Sequence, residues 1–81
     1  MSTKIQNGAT RLRQIASNEV LMPSGHCLTQ HVVCLSPQGW VTNVFPLRAE
    51  QAFTEWFPGR LTLESDAHGH QWVIYNGQKI T

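Results

Sequence analysis

The stretch His26–Leu47, HCLTQHVVCLSPQGWVTNVFPL, organises the chain. Its centre, Ser36-Pro37-Gln38-Gly39, fills a type I turn as that turn requires. Ser comes first, Pro second because its ring presets φ, and Gly fourth. Before the turn, Leu28 to Leu35 is rich in β-branched residues and contains no Gly or Pro. After it, Trp40 to Phe45 is closed by Pro46, which removes a ladder donor and ends the pairing. The stretch therefore reads as a β-hairpin around which the other strands are added.

Alternation within the hairpin is imperfect. One face of the first strand carries Leu28, Gln30, Val32 and Cys34, and the other carries Thr29, His31, Val33 and Leu35. Apolar groups on both faces predict a strand covered on both sides near the turn. In the second strand Val41 and Val44 are three apart, a spacing that a regular strand cannot place on one face. A bulge at Thr42-Asn43 reconciles them.

On the N-terminal side, Arg11 to Met22 reads as an edge strand with a kink at Ser17-Asn18, and Pro23-Ser24-Gly25 turns it into the hairpin. Residues 1–10 are polar and are expected to form a flexible N-terminus. Residues 11–81 form a single β domain. In Arg48–Trp56 the apolar residues Ala49, Ala52, Phe53 and Trp56 match the i, i+3, i+4, i+7 spacing of one helical face. A short helix is expected there, stopped by Pro58-Gly59. Arg60–Leu63 is a short strand, and residues 64–69 are a polar turn. Gln71–Tyr75 and Gln78–Ile80 flank Asn76-Gly77, the pair that a type I′ hairpin turn demands. The expectation is an all-β domain with at most one short helix, a small buckled β-barrel or sandwich of five to seven mostly antiparallel strands.

Size and charge bound the function. The 81 residues include six Lys and Arg, spaced singly at positions 4, 11, 13, 48, 60 and 79, with net charge +1. A phosphate-binding surface needs clustered cations, so nucleic acid is not the expected partner. No apolar run approaches the ~18 residues of a membrane-spanning helix. The N-terminus lacks the hydrophobic core of a signal peptide, and the expected location is cytoplasmic. Cys27 and Cys34 lie seven apart in one strand, on the order of 23 Å. A disulfide needs Cα atoms within about 7 Å, so the pair is expected to stay reduced.

The order of Ile15, Val20, Gly25, Gly39, Val41, Val44, Val73, Asn76, Gly77 and Ile80 resembles the amidohydrolase superfamily. The pattern is I-x₄-V-x₄-G, then G-x-V-x-x-V, then V-x-x-N-G-x-x-I. The resemblance covers about residues 12–81 and concerns the small composite β domain beside the catalytic barrel, here without the barrel. It implies a stand-alone, non-catalytic module.

Three constellations invite chemistry. Pro58-Gly59 with the downstream Asp66-Ala67-His68-Gly69-His70 is similar to the PG-[FI]-[IV]-D-x-H-x-H metal signature of that superfamily, but six residues intervene instead of two. Residues 71–81 are too few to supply a barrel or further ligands. A polar turn holding His68 and His70 is the expectation, and a small metal-binding or hydrolase-accessory role through them is the alternative. His26, Cys27, His31 and Cys34 have zinc-ligand chemistry, yet an extended strand cannot make four such side chains converge. Cys27, His31 and Asp66 supply nucleophile, base and carboxylate types without a motif that fixes them together. No enzyme activity and no cofactor are expected.

The seven aromatic residues are too many for a small sheet to bury fully. An interaction surface is expected at Phe53, Trp56 and Phe57, serving a homodimer or another protein partner.

Overall fold

The computed structural model describes residues 13–48 and 53–81. They form six strands: β1 (Arg13–Leu21), β2 (Cys27–Leu35), β3 (Val41–Pro46), β4 (Thr54–Ser65), β5 (Gln71–Tyr75) and β6 (Gln78–Lys79). One sheet contains them all in the order β3-β2-β1-β4-β5-β6. Every neighbouring pair is antiparallel except β1 and β4, which run parallel.

The expected hairpin is β2–β3, and its turn closes with Gly39 N–H donating to Ser36 C=O at 2.9 Å. Pairing runs His31 to Pro46, Val32 to Phe45, Val33 to Val44 and Cys34 to Asn43, then slips so that Leu35 faces Val41. Thr42 is the extra residue. Its hydroxyl donates to Cys34 C=O at 3.2 Å, and the slip lets Val41 and Val44 both pack on the core. Two of the other predicted turns match this one in form. At Met22–His26 and Asp66–His70, as at Ser36–Trp40, the first N–H donates to the fifth carbonyl and the glycine N–H donates back to the first.

Three expectations are corrected. β1 is a central strand and not an edge, because β4 returns to pair with its free side. The sheet is open and does not close into a barrel. No helix forms among the described residues. Of the segment read as helix, residues 49–52 lie outside the described residues, Phe53 sits in a turn, and Thr54–Trp56 open β4. A nine-residue helix is marginal in isolation, whereas Thr54–Phe57 gains a full ladder against Gln14–Ser17. Pro58-Gly59 therefore interrupts a strand instead of stopping a helix. Residues 1–10, expected to be flexible, also lie outside the described residues.

The predicted kink at Ser17-Asn18 belongs to an irregularity that crosses three strands. On β4 the register with β1 slips between Ser17–Phe57 and Glu19–Arg60, leaving Pro58-Gly59 opposite Asn18. On β2 the same level holds Gln30, whose φ is +52°. Above and below it the inward face changes parity: Ile15 and Val33 join the core, and so do Val20 and Leu28, five positions away on each strand.

The core consists of Ile15, Val20, Val33, Leu35, Leu61, Leu63 and Val73, with Met22, Leu28, Val41, Val44, Phe57, Tyr75 and Ile80 packed against it. Ala16, Val32 and Cys34 are buried as well. β2 is thus buried on both faces near its turn, as its sequence suggested. The sheet curls so that its two ends approach. A Cβ on Gly39 would lie 3.2 Å from Ile80 O, and Arg13 Nη1 donates to Thr81 O at 2.7 Å.

Candidate functional site

The side chains singled out as metal ligands or catalysts do not assemble. His68 and His70 share the β4–β5 turn, where Asp66 Oδ1 accepts the N–H of His68 at 2.8 Å and of His70 at 3.0 Å. The Asp66 carboxylate builds the turn. Its partial desolvation pushes the pKa up, but the two N–H donors, with the His70 ring, outweigh this and hold it below the usual carboxylate range. The His70 ring stacks on Trp40 with centroids 4.7 Å apart and has Nδ1 3.5 Å from Asp66 Oδ2.

Of the zinc-like set, Cys27 is exposed and Cys34 buried, both with free thiols. His31 Nδ1 lies 2.9 Å from Thr29 O. Among the described residues no three His, Cys, Asp or Glu side chains are grouped to hold a metal ion. No described helix is long and apolar enough to cross a membrane.

Sequence reasoning missed a cluster where the curled sheet meets itself. Trp40, just past the Ser36–Gly39 turn, stacks on His70 and meets Trp72 edge-on at 6.0 Å. Lys79 Nζ sits 4.6 Å from the Trp40 ring centroid and 5.5 Å from that of Trp72, within cation–π range. These contacts join the β2–β3 turn to β5 and β6 without strand pairing. Trp40 is separated from its partners by 30 to 39 residues of chain, and no local pattern links them. Because His70 and Lys79 both engage Trp40, the cluster acts as a seam and not as an open aromatic platform.

The expected interaction residues divide. Phe57 packs on the core and meets Tyr75 edge-on at 5.0 Å. Phe53 is 87% exposed and Trp56 47%, the two exposed large hydrophobic residues among those described. Both lie at the N-terminal end of β4, beside the ion pair in which Arg13 clamps Glu55 at 2.6 and 2.8 Å. Hydrogen bonding from Arg13 lowers the Glu55 pKa, against a smaller opposing effect of burial. Along β4, β5 pairs only with Thr62–Ser65, so the flank of β4 at Trp56 that faces away from β1 is not covered by a described strand.

Comparison of the chain with family models, curated proteins and solved structures finds no match.

Proposed function

We propose that this chain is a non-catalytic, stand-alone β module that works through contact with another protein, similar in plan to the composite β domain of amidohydrolases without the barrel. The exposure of Phe53 and Trp56 at one end of β4 carries this reading. Water-facing rings of this size are costly to leave exposed and are enriched where proteins meet. The dispersion of charge and the internal use of His70, Asp66 and Lys79 support contact over chemistry.

The test places a photo-crosslinking amino acid at position 53 and, as a control, at position 68, in cells. A defined protein adduct at 53 and none at 68 is the expected result. Equal labelling at both positions, or none at either, overturns the reading.

A further inference from the structure

We infer that the partner is a second copy of this chain, joined by two-fold antiparallel pairing of β4 with β4 centred on Trp56. This inference rests on the interaction-module reading and names its partner.

The direction of the backbone groups leads to Trp56. In a strand, the N–H and C=O of one residue point to one edge and those of the next to the other. Gln30 C=O accepts from Leu47 N–H, and Cys34 C=O from the Thr42 hydroxyl, so both face β3. His31 and Val33 therefore face β1, and their partners Ser17 and Ile15 face β2. Ala16 then faces β4, bonding Glu55 and Phe57, and Trp56 opposite it turns its N–H and C=O away from β1. Gly59 agrees from the other end of the segment. Its N–H meets Asn18 Oδ1 and its C=O meets the Ser17 hydroxyl, both on β1.

The open edges of β3 and β6 are blunted, as sheet edges exposed to water usually are. On the outer side of β3, Thr42 is a bulge, Val44 N–H is taken by Asn43 Oδ1 at 2.9 Å, and Pro46 has no N–H. β6 is two residues long. On β4, Pro58 offers no N–H, and its C=O already accepts from Tyr75 Oη at 2.7 Å. Trp56 is left with an outward donor and acceptor that no described group uses. One residue with both groups on one side is self-complementary under a two-fold axis, where it exchanges two hydrogen bonds with its own copy.

Area agrees with a weak dimer. The exposed parts of Phe53 and Trp56 amount to about 200–330 Å² per chain, taking 150–250 Å² per ring. Two copies together hide about half of the ~1,000 Å² that a specific interface requires, before neighbouring residues contribute. A net charge of +1 adds little repulsion between copies.

The experiment uses the purified full chain, sedimented from micromolar to near-millimolar concentration, with amide exchange monitored at Trp56. The expected result is a mass that doubles with concentration and a Trp56 amide that becomes protected in step. Trp56→Lys, which sets two cations side by side across the axis, should keep the fold and lose the doubling. A single-chain mass throughout, a dimer with an unprotected Trp56 amide, or a dimer that persists in Trp56→Lys each overturns the inference. A purified monomer that still gives a defined adduct with a different protein at position 53 removes the second copy and leaves the interaction-module reading standing.

Discussion

The hydroxyl of Ser17 donates to the carbonyl of Gly59 at 2.8 Å, across two parallel strands at the one level where their register slips. Ser17 is fully buried, and it is the one buried polar side chain among the described residues. Asn18 completes the arrangement by accepting Gly59 N–H at 2.9 Å. The two side chains thus satisfy the backbone groups that the slip would otherwise orphan, and the irregularity becomes a fixed bend.

Removing the Ser17 hydroxyl should therefore cost more than an ordinary surface change. Ser17→Ala leaves the Gly59 carbonyl without its donor, a loss of about 1–2 kcal/mol. Gly59→Ala should cost a similar amount for a different reason. Nothing lies within 4 Å of the added Cβ, but φ is +103°, which an L side chain resists. Urea unfolding should show a lower midpoint for both variants with the slope unchanged.

The meeting of the β2–β3 turn with β6 gives a second, comparative prediction. Gly25 and Gly39 occupy equivalent turns with φ of +96° and +88°. An added Cβ at Gly25 meets nothing within 4 Å, whereas at Gly39 it comes to 3.2 Å from Ile80 O. Backbone strain is about equal, so Gly39→Ala should destabilise more than Gly25→Ala. The difference measures the seam. Equal losses in thermal unfolding would show that the turn and the C-terminal strand do not press together.

The hairpin, its turn, the Thr42 bulge and the Asn76-Gly77 turn were legible because each is written within a short, continuous run of residues. The pairing of Gln14–Ser17 with Thr54–Phe57 was not. Its contacts span 40 residues in sequence, as in Thr54 Oγ1 to Gln14 Oε1, and short segments carry no mark of a distant parallel partner. That pairing turned the apparent helical face at Phe53 and Trp56 into a strand and moved β1 from edge to centre. At the candidate surface the aromatic excess was legible, but the split that buries Phe57 and exposes Trp56 was not. It depends on Phe57 meeting Tyr75 from a different strand. The Trp40, His70, Trp72 and Lys79 seam was hidden for the same reason.

The two thiols should behave oppositely. Burial pushes the Cys34 thiol above its ordinary pKa, while Cys27 is exposed at the start of β2. Since the thiolate is the reactive form, a disulfide reagent at neutral pH should modify Cys27 promptly and Cys34 only on unfolding. Cys27→Ser should leave a folded protein with no fast phase. A fast phase that survives in this variant would mean that Cys34 is open to solvent.

Acid should weaken the fold through Glu55 and Asp66. Arg13 lowers the first carboxyl, and the N–H groups of the turn, outweighing burial, lower the second. Each folded-state pKa thus lies below the unfolded value of about 4. As pH falls the unfolded chain takes up protons first, so stability is fully present above that value and is lost as pH drops through the folded pKa values. Glu55 is exposed and Asp66 partly so, and solvent and salt weaken the effect. Glu55→Gln with Asp66→Asn keeps the shapes and some hydrogen bonding but removes the titration. The urea midpoint of the wild type should decline on acidification below about pH 5, and that of the double variant should decline less. Matching declines in the two proteins would assign the acid sensitivity to other groups.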